Sequence, residues 1–306
     1  MSFLIRRLIL LLLTLFVVFT VTFFLMRVVP GGPFQSDREP PAAVLAAIEA
    51  RYDLDAPLLE QYGRALLQIL QGDLGPSFRL VDYRVVDVIA EGLPRSLLLG
   101  GLAMWIAIAL GWVIGLTSAA RPKSLTETFL LAGTSLGLIL PNFVIAGFGV
   151  LIFAFWWPVL PAAGWGSARH LVLPTLCLAL PYAAAIARLI RAGVLEAAEQ
   201  DFFRTALAKG LSRDEALRRH ALRPGVVATV SFLGPAAAGV LTGSLVIEQV
   251  FAIPGLGTHF VQAALDRDYP LAMGVVLLYT LMIGGFNIAV DGAIAWLDPR
   301  VRETER

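Results

Sequence analysis

Apolar residues dominate the chain in long runs separated by short polar breaks. Six runs are close to 20 residues or longer and nearly free of charge: about 8 to 29, 96 to 118, 131 to 157, 171 to 191, 227 to 248 and 272 to 297. At about 1.5 Å of rise per helical residue, such a run crosses the roughly 30 Å hydrocarbon layer of a bilayer. The pattern therefore predicts six transmembrane helices. Arg6 and Arg7 precede the first run as they would in a secretory signal, but the run is longer than a signal core, and "MRVVPGGPF" lacks a small-residue cleavage site. It is expected to stay in the membrane as an anchor.

Two polar stretches break the pattern at length. In segment 30 to 95, "PPAAVLAAIEARYDL" places Val44, Leu45, Ile48 and Tyr52 at helical spacing. "DAPLLEQYGRALLQILQG" carries Asp55 and Pro57 at a helix start and Gly72 at its stop. "DYRVVDVIAEGLPRSL" then leads into the second span, so the segment is expected to fold as a small helical region. Gly111 and Gly115 form a small-xxx-small pair, and Pro141 and Pro174 are expected to interrupt or begin helices.

Composition agrees: 58% of residues are hydrophobic and 15% charged, against about 25% charged in soluble domains. The expected class is an all-α integral membrane protein. A net charge of +1 gives no basic footprint for nucleic acid, and the single Cys177 allows no internal disulfide or Cys-rich metal site; Cys177 reads as a small buried hydrophobe. With the N-terminus inside, the inner segments collect Arg6, Arg7, Arg121, Lys123, the cluster from Arg188 to Arg223, and Arg300, Arg302 and Arg306. The short outer loops then hold only Arg169 and Arg267. Positive charge favours the cytoplasmic side, so both termini are expected in the cytoplasm.

Catalytic patterns are sparse. "GTSLG" (Gly133 to Gly137) fits the G-x-S-x-G hydrolase pattern around Ser135, but it sits in a membrane run with no strand before it, and His170, His220 and His259 fall in or beside loops. Helix packing by small residues explains it more simply. There is no G-x-x-x-x-G-K-[ST] phosphate loop, so any ATP must be handled by another subunit, and no H-E-x-x-H or paired-Cys pattern marks a metal site. Glu248, at the outer end of the fifth run, and Asp291, near the inner end of the sixth, are isolated ionisable residues. They do not form the relay of a proton-coupled carrier.

The second polar stretch, "EAAEQDFFRTALAKGLSRDEALRRHALRPG" (residues 196 to 225), lies on the expected cytoplasmic side. The fourth span is expected to continue as helix, with Glu196, Glu199 and Asp201 ahead of Arg204 and Lys209 as the helix dipole prefers, and with Gly210 as its stop. Ser212 and Glu215 then form a reciprocal capping box for a second helix, expected to end at Arg223-Pro224. The product is a two-helix knob. Phe203 and Leu207 stand at i, i+4 beside Phe202 and Ala206, and this apolar face could dock on a partner or pack on the protein's own helices.

These residues resemble the permease subunits of ATP-binding-cassette importers, in the peptide and nickel branch. In that family an E-A-A-x-x-x-G loop followed by I-x-L-P docks on the ATPase. Aligned by glycine, Gly210 takes the family's Gly, Arg204-Thr205-Ala206 the E-A-A positions and His220-Ala221-Leu222 the I-x-L positions, with Pro224 one place late. The literal Glu196-Ala197-Ala198 is out of register, since Phe202 stands where the glycine belongs. "EQVFAIPGLG" (248 to 257) and "RDYPL" (267 to 271) resemble the family's outer loop near the gate and the binding-protein contact. "ARYDLDAPLLEQY" and "GDLGPSFRLVDY" are similar to B-type permeases of oligopeptide importers, with "GPSF" the best discriminator from dipeptide and nickel permeases.

The resemblance implies a type I importer permease with six transmembrane helices. Its parts would be the N-terminus and first helix (1-29), a periplasmic helical region (30-95), a core permease domain (96-299) with a cytoplasmic coupling loop (192-226), and a cytoplasmic tail (300-306). It implies an ATPase-docking surface at Phe203, Arg204, Thr205, Ala206, Leu207, Gly210, Leu211, Ser212, Glu215, His220, Leu222 and Pro224. It also implies a gate and binding-protein contact at Glu248, Phe251, Pro254, Gly255, Gly257, Arg267, Asp268 and Tyr269. The implied partners are a second homologous permease, two ATPase subunits that carry ATP and Mg, a periplasmic peptide-binding protein, the peptide substrate and the bilayer of a bacterial inner membrane. This chain itself would hold no cofactor and perform no catalysis. Oligopeptides are the expected cargo, with dipeptides, nickel or glutathione as alternatives and a secondary transporter or intramembrane protease as distant ones.

Overall fold

A computed structural model of the protein describes residues 2–28, 34, 54–80 and 82–297, and the side chains there except at 2–4, 223–224, 226–228 and 293–297. The helix expected around Val44 to Tyr52 and the tail 300–306 lie outside the described residues. Among these, every regular element is a helix. The chain forms two compact units, residues 1–95 with 254–281, and residues 96–253 with 282–306.

The first unit contains α1 (Ser2–Val28), α2 (Leu58–Leu70), the start of α3 (Val85–Ala120), α10 (Leu256–Leu265) and the start of α11 (Tyr269–Leu297). Pro57, expected inside the first turn of α2, is its N-cap. Gly72 closes α2 as expected: its φ is 79°, its N–H donates to Ile69, and the Asp73 N–H donates to Gln68, the paired bonds of a Schellman stop. Tyr62 of α2 packs between Phe19 and Phe23 of α1 with ring centroids 5.3 Å from each, and its hydroxyl meets Thr20 Oγ1 at 2.9 Å.

The second unit is built around α6 (Ala168–Glu199), which buries thirteen side chains, including Leu178, Ile186 and Ile190; Cys177 is buried there too, as read from the sequence. Pro174 was expected to interrupt or begin a helix, but α6 runs through it and through Pro181. Packed membrane helices tolerate this because neighbouring groups and small local adjustments satisfy the freed carbonyls. Gly111 and Gly115 of α3 do pack closely. A Cβ on Gly111 would lie 2.7 Å from Ile186 Cβ, and one on Gly115 would lie 2.7 Å from the Ala187 carbonyl oxygen.

Among the described residues, five helices are long and apolar enough to span a membrane: α1 from Ile5, α3, α6, the Thr229–Val250 part of α9 (Leu222–Val250), and α11 to Gly292. The run 131 to 157, expected as one span, is instead a bent pair: α4 (Leu125–Ile139) and α5 (Asn142–Val150, extended by a π-type turn to Trp156) meet at 108°. Proline pushes its predecessor out of helical conformation, and Leu140, just before Pro141, has ψ 127°. Counting the pair as one span gives six.

The close approach at Gly115 makes a direct prediction. Gly115→Ala lowers stability by about 1–3 kcal/mol through overpacking against backbone, while Gly133→Ala, which meets nothing within 4 Å, leaves it unchanged or raises it by up to about 1 kcal/mol. Thermal unfolding midpoints of the two variants in detergent check this.

Candidate functional site

The first candidate surface is the polar stretch after α6. The helix does not continue through it. Gln200 adopts φ −74° and ψ 155°, and a separate helix α7 (Asp201–Ala208) begins. This corrects the expected charge layout, since Glu196 and Glu199 lie at the C-terminal end of α6, where the dipole disfavours them, and only Asp201 occupies a first turn. Gly210 ends α7 as expected. With φ 90°, it donates to the Leu207 carbonyl at 2.9 Å, and Leu211 donates to Ala206 at 3.3 Å, a second Schellman stop.

The chain restarts at α8 (Arg213–Ala216), where Ser212 Oγ accepts the Glu215 N–H at 3.3 Å. The box is not reciprocal. The Glu215 carboxylate pairs with Arg219, one turn on, at 2.7 Å. The helix also does not stop at Arg223-Pro224. A π-type turn over Leu217–Ala221 carries it into α9. Pro224 falls in the first turn of α9, where a missing N–H is tolerated.

The apolar face divides. Phe203 and Ala206 are buried with Ala216, Leu217 and Ala221, and Leu211 and Leu222 pack against the same cluster. Leu207 is 39% exposed and Phe202 45%. Self-packing thus claims the i, i+3 pair Phe203/Ala206. Arg204, Thr205, Ser212 and His220 stand exposed around Leu207 and Gly210 in the sequence. Arg204 has a long 3.9 Å pair with Asp201, and Thr205 Oγ1 donates to the Asp201 carbonyl. Pro224 lies in α9, with its side chain outside the described residues. The sequence reading also missed Glu127. Its buried carboxylate receives Arg191 Nε of α6 at 2.7 Å, while Ser124 caps α4 by accepting the Glu127 N–H. The S-x-x-E pattern at 124 to 127 was the available signal.

The second surface is the outer loop. In the 96–253 unit, Glu248 and Phe251 are fully buried, the Glu248 carbonyl accepts the Ile253 N–H at 2.8 Å, and the Phe251 carbonyl accepts the Gly164 N–H at 2.7 Å. The remaining predicted residues belong to the other unit. There Asp268 is 1% exposed and caps α11. Its carboxylate also receives Ser77 Oγ, the Phe78 N–H at 3.1 Å and the Arg79 N–H at 3.4 Å. Asp268 of "RDYPL" therefore holds Ser77 and Phe78 of "GPSF".

Arg267 has φ 59°, and Tyr269 is buried at the start of α11. Pro254 offers its carbonyl to Arg95 Nη1 at 2.9 Å. Gly255 and Gly257 are buried at the start of α10, and Gly255 lies over Gly92 of α3. Gly255 has φ −102°, which is open to any residue, and the left-handed residue nearby is Ala252 at φ 50°. What matters at Gly255 is proximity: a Cβ on Gly92 would lie 3.2 Å from its carbonyl carbon and 3.1 Å from the His259 ring.

Ser135 Oγ donates to the Leu131 carbonyl and accepts from Arg188 at 2.7 Å, and Gly137 of the same motif packs on Ala184. Two family profiles match in succession, "Binding-prot-dependent transport system membrane comp, N-term" over residues 1–99 and "Binding-protein-dependent transport system inner membrane component" over residues 98–303. The chain belongs to this family of transport-system membrane components.

As a family member it is a transport subunit, not an enzyme. It is 43% identical to the oligopeptide transport system permease protein OppB of Haemophilus influenzae and 39% identical to that of Escherichia coli, in each case across 99% of both chains. It is 41% identical to the dipeptide transport system permease protein DppB of Bacillus subtilis across 94% of both. A solved structure of the MetNI methionine ABC transporter, inward facing, matches 69% of this chain and 96% of its own with a TM-score of 0.56 at 15% identity, which shows a common fold.

Two predictions concern the outer loop. Asp268→Ala leaves the buried Ser77 hydroxyl and the neighbouring amides without an acceptor, costing about 1–3 kcal/mol per group left unsatisfied; limited proteolysis should then cut after Arg79 or Arg84 several-fold faster. His259 is held below its usual value of 6.5 by burial, an effect that Arg95 reinforces and Glu91 opposes. The unfolded chain therefore takes up a proton near pH 6.5, before the folded one does. Stability is full above that pH and falls as the pH drops below it. The protection factors of residues 256–265, exchange rates taken relative to the intrinsic rate at each pH, should fall below pH 6.5 in the parent and much less in His259→Gln.

Proposed function

We propose that the chain is a transmembrane permease subunit of an ATP-driven importer of oligopeptides. The observation that carries this is the full-length similarity to OppB proteins, in which the segments on both candidate surfaces are included. In this reading both termini and the α7–α8 knob face the cytoplasm, and the loop around Asp268 faces outward. ATP and Mg reside on two ATPase subunits, a second homologous permease completes the pathway, and a peptide-binding protein delivers cargo to the outer loop. Closure of the ATPases pushes on Leu207, Arg204 and the Gly210 turn, and the stiff knob passes that displacement to α6 and α9. Because the family's usual glutamate is Arg204 here, the ATPase groove should present acid or backbone carbonyls to this position.

The similarity to DppB favours a second reading, dipeptide import. Uptake assays with di-, tri- and pentapeptides separate the two. The subunit reading is tested by purifying the chain in mild detergent and asking for co-purifying ATPases whose hydrolysis rises with peptide-loaded binding protein. Gly210→Asp keeps open space around the new side chain but forces a φ of 90°, costing about 1–2 kcal/mol locally. It is expected to abolish uptake while membrane levels stay near those of the parent. Normal uptake by this variant would overturn the docking role.

A further inference from the structure

Near the C-terminal end of α1, the Arg27 guanidinium is half-buried, and no carboxylate among the described residues pairs with it. Its Nε donates to Gln61 Oε1 at 3.3 Å and its Nη1 to the Phe23 carbonyl at 3.2 Å, and its carbon lies 3.5 Å over the Phe23 ring centroid. A guanidinium has five N–H groups in a rigid fork, so about three remain available. They border a hollow of about 200 Å³ whose walls include Gln68, Gly75, Phe78 and Tyr269. Asp73 also lines it, but that carboxylate is taken by Arg84 at 2.7 Å and by the Gly75 N–H, which together hold it below the usual carboxylate range.

A second hollow, of about 380 Å³, shares Ile69, Leu74 and Gly274 with the first. Its walls are apolar throughout and come from α1, α2, α3 and α11, with Leu12, Phe19, Leu66 and Leu277 among them. At about 1.5 Å per residue, its α1 wall lies from about 12 Å (Phe19) to about 22 Å (Leu12) below Arg27 along the helix. One leaflet's hydrocarbon is about 15 Å deep. The helix forming another wall, α2, turns Leu67 outward at 60% exposure, as an interfacial helix does.

A positive fork at headgroup level above an apolar groove of acyl-chain depth has the polarity of one lipid molecule. We propose that this unit binds a single glycerophospholipid, its phosphate on Arg27 and one acyl chain in the groove beside α1. A bidentate guanidinium contact suits phosphate, and the groove offers nothing to a polar peptide backbone.

The test is native mass spectrometry of the full chain, purified in delipidating detergent with whatever subunits accompany it and supplied with dioleoyl phosphatidylglycerol. The parent should retain one lipid more tightly than the rest. Arg27→Gln should weaken that retention by about ten-fold or more, as expected for loss of a charge-assisted contact, and Arg27→Lys by less. Leu66→Trp, which fills the groove and leaves Arg27 in place, should also release the lipid, so the proposal does not depend on Arg27→Gln folding. Equal retention by the parent and Leu66→Trp overturns the proposal. So does oleate binding as tightly as the phospholipid, or preferential retention of a hydrophobic hexapeptide.

Discussion

In hydrocarbon, a backbone amide or carbonyl without a partner has no water to turn to, so each stretch of this chain that crosses the membrane must satisfy its own backbone. That constraint makes the spans helical and moves the difficulty to their ends, where several donors and acceptors fall outside the helical ladder. Several of the described helix ends are closed by specific devices. The carbonyls at the ends of α2 and α7 are taken by the Gly72–Asp73 and Gly210–Leu211 amides, and Ser124, Ser212 and Asp268 cap the helices that follow them. Both candidate surfaces consist of such closures. Where a helix must end, the chain has to build a shaped turn, and a shaped turn is what another protein can recognise.

The knob shows how much stiffness this provides. Phe203 and Ala206 are spent on the protein's own core, with Ala216, Leu217 and Ala221 opposite, and burying a phenylalanine contributes about 1.5–3 kcal/mol. The surface left over is small: a leucine and a phenylalanine ringed by Arg204, Thr205 and Lys209. Inward packing and outward presentation are therefore two sides of one short helix, and neither reading of its apolar residues excludes the other.

Much of this was legible in the sequence, and the exceptions follow a rule. Run lengths located the spans, because length in hydrocarbon is a one-dimensional quantity. Gly72, Gly210 and Ser212 announced their turns, because their roles depend on backbone a few residues away. The bend at Pro141 was signalled by its residue but not by its angle, since the apolar run continues across it unbroken. Gln200 carried no signal, because glutamine suits a helix interior. The hub at Asp268 was the least legible feature. It binds a hydroxyl 191 residues earlier in the chain, and no local pattern reports a partner at that distance. The same holds for Glu127 and Arg191, 64 residues apart.

One contact places a mechanical limit on α6 and α9. Where they cross, Gly193 faces Gly225, and a Cβ on Gly193 would lie 3.0 Å from the Gly225 Cα. No side chain lies between the two backbones there, so there is no soft layer to compress. The two backbones cannot be squeezed closer together there. The pair stays packed further along, where Gly239 and Gly243 of α9 meet Tyr182 of α6, so the contact is one clasp of a long seam and not a free pivot.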